Sequence, residues 1–284
     1  MAVADPPMFP HDEAIAALAR FVARYPRLFV LTGAGCSTDS GIPDYRDADG
    51  AWKHRPPTYY REFVGHESAR RRYWARSLTG WERLARARAN AAHDALARLE
   101  TAGFVRALVT QNVDGLHQQA GSRAVIDLHG RLDAVECLDC GERTARSDLQ
   151  ERLRALNPGR ARVATAAGPD GDALLEETFD DFRVPACESC GGTLKPAVVF
   201  FGECVPAERV AEAHRALAGC DALLVVGSSL MVYSGYRFCR AARERGMPLA
   251  AVNLGRTRAD DELTLKTSAS CTEILPALAA RLAP

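Results

Sequence analysis

The chain has 284 residues, room for one large hydrophobic core and a small second module. Hydrophobic residues make up 47% and charged residues 25%, the ordinary balance of a globular enzyme, and 36 basic residues face 36 acidic ones. The formal net charge of zero leaves no global field for nucleic acid or anionic lipid, no apolar run is long enough to span a bilayer, and Met1–Pro10 lacks the pattern of a secretion signal, so a cytoplasmic protein without nucleic-acid or membrane partners is expected.

Ala14–Tyr25 carries apolar residues at helical spacing. Leu28–Leu31 has the length and composition of a buried strand and stops at Thr32-Gly33-Ala34-Gly35. Glycines at a strand end let backbone N–H groups approach a ligand, and a following helix would offer its N-terminal donors to a diphosphate, so a nucleotide is the natural guest. The G-x-G-x-x-G pattern is incomplete, because Thr38 stands at the third glycine and no acidic residue closes a second strand. An ordinary dehydrogenase therefore fits poorly, and a plain glycine turn is an equal reading of this segment alone.

A loop from Pro43 to Pro57 leads to a helical region, Tyr59–Leu99. Phe104–Val109 then reads as a strand that ends in Thr110-Gln111-Asn112-Val113-Asp114-Gly115-Leu116-His117, and Ala124–Leu128 as a third that ends at His129-Gly130. Three apolar strands that each stop at polar, chemically able residues predict parallel strands sharing one crevice at their C-terminal ends. His117 and His129 are equal candidates for acid–base work on this ground.

Nine cysteines form two C-x-x-C pairs, Cys137/Cys140 and Cys187/Cys190, and five singletons (Cys36, Cys204, Cys220, Cys239 and Cys271). That count argues against a disulfide framework, and two knuckles in a reduced chain predict a closed, structural four-cysteine zinc site. Between the knuckles, 157–172 reads as a long loop. The main sheet is then expected to resume with a strand over Pro196–Glu203, a helix over Ala207–Leu217, a strand Ala222–Val226 ending in Gly227-Ser228-Ser229, a helix Tyr236–Arg245, a strand Leu249–Val252 ending in Asn253-Leu254-Gly255, and a closing helix Cys271–Leu282. The predicted class is α/β: a Rossmann-like parallel-sheet domain from 1–130 and 192–284, with a helical insertion at about 56–100, interrupted by a small zinc-binding module at 131–191.

Gly33-Ala-Gly35 with Ser40-Gly-Ile-Pro-Asp44-Tyr-Arg46, Thr110-Gln-Asn-Val-Asp114, Leu128-His-Gly130, the C-x-x-C pairs, Val199-Phe-Phe-Gly-Glu203, Gly227-Ser-Ser229 and Val252-Asn253 together resemble the sirtuin family, in that family's order. The finer texture, in Arg72-Tyr-Trp-Ala-Arg76, Cys137–Glu142, Leu153–Pro158 and Val232–Arg237, resembles class II, the lineage of human mitochondrial sirtuin 4. The resemblance implies NAD as co-substrate and removal of an acyl group from protein lysine, giving nicotinamide and O-acyl-ADP-ribose. It implies His129 as general base, favours it over His117, and places Asn112 and Asp114 at the nicotinamide carboxamide and a water, and Gln111 at the ribose. Gly33, Ala34, Gly35, Ser37, Thr38, Asp44, Tyr45, Arg46, Trp52, Gly227, Ser228, Ser229, Asn253, Leu254, Gly255 and Cys271 would complete the cofactor site, although a serine before a helix such as Ser229 is commonly just an N-cap. Val199, Phe200, Phe201, Gly202 and Glu203 would dock an acyl-lysine peptide as an added strand.

Tyr73 and Arg76 resemble a Tyr-x-x-Arg pair that grips an acyl carboxylate, with an Arg-rich amphipathic helix as the competing explanation. Tyr45 and Tyr233-Ser234 depart from the commoner family pattern in agreement with class II, which argues against efficient deacetylation, and activity on acyl chains longer or more branched than acetyl is expected. ADP-ribosyl transfer to protein and an NAD-sensing module without turnover are the alternative functions.

Overall fold

The structure is a computed structural model that describes residues 10–53, 57–160 and 179–283. Its larger sheet has six parallel strands: β1 (Leu28–Thr32), β2 (Val105–Thr110), β3 (Val125–Asp127), β7 (Ala222–Val226), β8 (Leu249–Val252) and β9 (Leu265–Thr267), in the order β3-β2-β1-β7-β8-β9. Chain order reverses between β1 and β7, which makes their C-terminal ends the switch point where such sheets open a crevice. β1 shows why the sheet needs two covers. Leu28 and Val30 face one core with Leu96 and Leu99 of α4 (Ala91–Thr101) and Ile274 and Leu278 of α9 (Cys271–Leu282), beside α1 (Pro10–Arg24). Phe29 and Leu31 face the other, with Ala213 and Leu217 of α7 (Ala207–Ala218) and Phe238 and Ala242 of α8 (Tyr233–Glu244). An alternating strand buried on both faces reads as a continuous apolar run, which is how the sequence shows it.

The smaller sheet is antiparallel, β5 (Arg143–Ala145), β4 (Gly130–Cys137) and β6 (Leu194–Val198). It shares a third core with Phe63 of α2 (Tyr60–Gly65), Tyr73, Trp74 and Leu78 of α3 (Glu67–Arg86), and Leu149 and Leu153 of α6 (Arg146–Leu156). Three sequence expectations change here, and one strand was not expected. The strand expected over Pro196–Glu203 spans Leu194–Val198 and pairs with β4, not with the main sheet, because a short apolar run does not reveal which sheet accepts it. The helical region divides: α2 and α3 pack on the small sheet, whereas α4 covers the large one, started by a capping box in which Asn90 and His93 satisfy each other's backbone. The glycine turn leads not into an α-helix but into two 3₁₀ turns, Ala34–Cys36 and Thr38–Ser40. β9, only three residues long, had no readable period.

Much of the expected 157–172 loop lies outside the described residues, but its base is pinned. Buried Asn157 donates to Leu153 O and Arg183 O at 2.9 and 2.8 Å and accepts Arg183 N–H at 2.8 Å. Among the described residues no helix is long and apolar enough to cross a membrane.

Candidate active site

Both ends of the switch point converge on glycines. Gly33 N–H donates to Val226 O at 3.1 Å and Gly35 N–H to Gly227 O at 2.8 Å, so these amides tie the two strand ends together rather than pointing at a guest. A Cβ on Gly227 would meet Cys36 N at 2.3 Å, and one on Gly33 would meet Ser228 Cβ at 2.7 Å. The glycines are therefore required for close backbone approach, with Gly227 also at φ +59°. The floor so formed belongs to a cavity of about 1060 Å³, just above the roughly 300–1,000 Å³ usual for small-molecule sites.

Every residue expected to hold the cofactor lines this cavity: Gly33, Ala34, Gly35, Ser37, Thr38, Asp44, Tyr45, Arg46, Trp52, Gln111, Asn112, Asp114, Gly227, Ser228, Ser229, Asn253, Leu254, Gly255 and Cys271. One wall is the loop from Pro43 to Lys53, closed on itself by Arg46 Nη1 on Gly50 O (2.7 Å) and Lys53 Nζ on Asp44 (2.6 Å), and docked by Arg256 N–H on Ala48 O (2.8 Å). The Arg46 guanidinium lies over Trp52, 4.1 Å from the ring centroid, and Trp52, Tyr45 and Phe201 meet edge-on at 5.4–6.2 Å. Val232, not Ser229, precedes α8 as its N-cap, which removes the capping explanation for Ser229.

Behind the floor, Ser37 Oγ donates to Asp114 Oδ2 at 2.7 Å and accepts from Asn112 Nδ2 at 3.0 Å; Asn112 Nδ2 also reaches Gly33 O, and Leu116 N–H holds Asp114 Oδ1 at 2.9 Å. Gln111 Nε2 donates to Ser228 Oγ at 2.8 Å. These contacts fix Asn112 and Asp114, so each presents a defined edge with little rotamer freedom left to lose.

The two histidines separate. His117 is 1% exposed, sits outside the cavity lining, and its Nε2 lies 2.9 Å from Thr32 Oγ1. His129 is half-buried and lines the cavity. Its Nδ1 is 2.9 Å from Gln111 O; a carbonyl only accepts, so Nδ1 carries the proton, and Nε2, 2.8 Å from Ser234 Oγ, keeps its lone pair. Burial pushes this imidazole down to about 4, against the Gln111 hydrogen bond and with help from Arg209 and Arg237. At neutral pH it is a neutral base facing the cavity. Ser234 was legible only as a departure from the family pattern, since the contact joins residues 105 apart.

Val199, Phe200, Phe201, Gly202 and Glu203 all line the cavity, as does Tyr73, which is buried against Phe63, Trp74 and Phe200. Arg76 is not among the described lining residues, so the Tyr-x-x-Arg pair reaches the cavity through Tyr73 alone. Burial pushes the Cys36 thiol well up and the Cys271 thiol up to about 12, which disfavours the thiolate at both.

The four knuckle cysteines gather with all sulfurs within 4.8 Å, Cys137–Cys190 at 3.5 Å and Cys140–Cys187 at 3.8 Å. A tetrahedron with Zn–S bonds of about 2.3 Å has edges of about 3.8 Å, so the donor set fits zinc. Gly141 and Gly191, at φ +74° and +76°, allow each knuckle to turn.

A Sir2 family profile matches residues 33–234. An NAD-dependent protein deacetylase of Xanthomonas campestris pv. campestris (strain 8004) is 60% identical over 260 residues, covering 91% of this chain and 89% of that protein. NAD-dependent protein deacetylase 2 of Bradyrhizobium diazoefficiens is 60% identical over 259 residues, covering 91% and 95%. Among solved structures, a Sir2 protein with a p53 peptide and NAD+ superimposes with a TM-score of 0.77 at 30% identity over 94% of this chain and 98% of that one. A profile across most of the chain, relatives at 60% identity and the same fold agree with the strand-end motifs: the chain belongs to the Sir2, or sirtuin, family.

Proposed function

We propose that the protein is an NAD-dependent protein-lysine deacylase that uses His129 as general base and a structural zinc ion at Cys137, Cys140, Cys187 and Cys190. The observation that carries the reading is the neutral His129 with its Nε2 lone pair at the cavity that also holds Asn112, Asp114 and the Val199–Glu203 segment. The relatives named NAD-dependent protein deacetylase support the substrate class, and a Sir2 structure bound to an acetylated peptide, matched with a TM-score of 0.73 at 29% identity, supports a peptide partner.

NAD supplies a glycosidic bond whose rupture opens the ribose to an acyl oxygen. The chain's own residues do the rest. With NAD bound, Asn112 and Asp114, pinned through Ser37, would orient the carboxamide end, Gln111 would meet the ribose hydroxyls and Ser228 the phosphate and adenosine ribose, and the Tyr45–Trp52–Phe201 aromatic cluster would keep water from the space between. His129 Nε2 then takes a ribose proton, a task for a group that is already neutral. We assign the chain to class II, with Tyr73 walling an acyl pocket that prefers chains larger than acetyl.

The test is a product assay: the zinc-loaded protein with NAD and lysine peptides carrying acetyl, succinyl, lipoyl and long-chain groups, with mass detection of freed peptide and O-acyl-ADP-ribose. Acyl loss coupled to that product is expected. Nicotinamide release without freed peptide would move the reading to ADP-ribosyl transfer, and no NAD consumption would move it to a sensor. Chelating the zinc should unfold the small module and silence activity together, read as lost melting cooperativity.

A further inference from the structure

Lys195 of β6 is 1% exposed, an unfavourable place for an ammonium unless its protons find acceptors. Its Nζ donates to Val198 O at 2.5 Å and lies 3.4 Å from Pro196 O, with Glu203 Oε2 at 3.2 Å as counter-charge and Glu136 Oε1 at 3.9 Å. The Phe200 ring stands 5.0 Å away. The same Glu203 Oε2 accepts Phe200 N–H at 2.8 Å, and Glu203 N–H returns to Phe200 O at 3.0 Å. One carboxylate oxygen is thus shared by a buried ammonium and a backbone amide, and between them they bend the chain where β6 ends. The other side of the bend is anchored by Val199 N–H on the backbone carbonyl of His129 at 2.8 Å. Gly130, the next residue, is pressed on the same strand: a Cβ there would lie 2.1 Å from Ala197 O.

We infer that Lys195 is a positioning residue: through Glu203, which itself lines the cavity, it holds the Val198–Glu203 bend in the shape that sets an acyl-lysine peptide against His129. The inference rests on the deacylase reading. Lys195 acts only through the bend, since it does not line the cavity. A purely structural ion pair would behave differently: removing one partner would cost stability, read in the melting curve, and would leave substrate affinity alone in the folded fraction.

The experiment compares Lys195→Met, Lys195→Arg and Glu203→Gln with the parent protein, all zinc-loaded, measuring kcat and KM separately for acyl peptide and for NAD, with thermal melting alongside. Lys195→Met should raise the peptide KM about tenfold while the KM for NAD moves less than about twofold. Lys195→Arg, which keeps the charge, should recover most of the loss. Glu203→Gln should fall between, because its amide oxygen still accepts Phe200 N–H, and the Lys195→Met/Glu203→Gln double variant should be no worse than Lys195→Met alone. An unchanged peptide KM in the folded variants, or peptide and NAD values rising together, would overturn the inference. If Lys195→Met does not fold, Lys195→Gln, which keeps a polar group but not the charge at a residue outside the cavity lining, decides by the same split. A parent protein that frees no acyl peptide sinks the deacylase reading itself, and this inference with it, a result distinct from active variants with unaltered KM.

Discussion

His117 and His129 come after neighbouring strands of one sheet, β2 and β3, and both emerge from a cluster of polar residues, yet the fold gives them opposite environments. His117 lies on the short helix α5 (Leu116–Gln119), sealed behind the strand ends, with Nε2 on Thr32 and its ring 4.7 Å from that of His93. His129 sits where β3 gives way to β4, so its ring stands at the seam between the two sheets. The same side chain is a packing and hydrogen-bonding group in one place and an accessible base in the other. The local path of the chain at each histidine makes the difference. A helix folds His117 back over the sheet, whereas Gly130, at φ +80° against Ala197 O, turns the chain away and leaves His129 facing the cavity.

Replacement by alanine should separate the two most strongly. His129→Ala removes the neutral imidazole whose Nε2 faces the cavity that Asn112 and Asp114 also line, and should lower kcat about 10²–10⁴-fold with NAD affinity largely kept. Its melting temperature should stay near that of the parent. Comparable loss in both variants, with both still folded, would erase the distinction drawn from burial.

His117→Ala should show the reverse, about 1–3 kcal/mol of lost stability from a fully buried ring and its contact with Thr32, whose Oγ1 keeps Thr110 Oγ1 as a partner, with kcat in the folded fraction changed much less. Urea unfolding of the two variants side by side reads this directly. His117 Nδ1 has no partner among the described residues, so an apolar ring that fills most of the same space, His117→Phe, should cost less than the cavity left by alanine.

The strand-end clusters were legible because buried parallel strands are continuous apolar runs, and the residues that stop them must be the ones at the crevice. The zinc site was legible because knuckle spacing is local. Three things were not. Composition could not say that Leu194–Val198 belongs to the small sheet, since an apolar strand pairs wherever an edge is offered. It could not say that Gly33 and Gly35 lend their amides to the neighbouring strand ends, a matter of how closely two loops approach. Nor could it assign roles to Ser234 or Lys195, whose partners are brought together only by the sheet-to-sheet seam.

The smallest effect sharpens the comparison through protons. Burial lowers both histidines from an unfolded value of about 6.5, His129 to about 4 and His117 in the same direction, helped by the neighbouring His93. The folded state therefore binds fewer protons than the unfolded chain in the window below about 6.5. The stability contribution of each neutral ring is complete above that pH and is lost as pH falls through the window, so unfolding free energy should decline on acidification in the parent and decline less steeply in His117→Phe. Activity should follow His129 alone. The acid limb of kcat/KM should fall near pH 4–5, well under the pH at which an exposed imidazole titrates. Ser234 Oγ donates to Nε2 and so favours the neutral ring; Ser234→Ala should move that limb upward by less than about one pH unit, while His117→Phe leaves it in place. A limb that moved with His117→Phe and not with Ser234→Ala would mean that the proton is taken by a group behind the strand ends rather than at the seam.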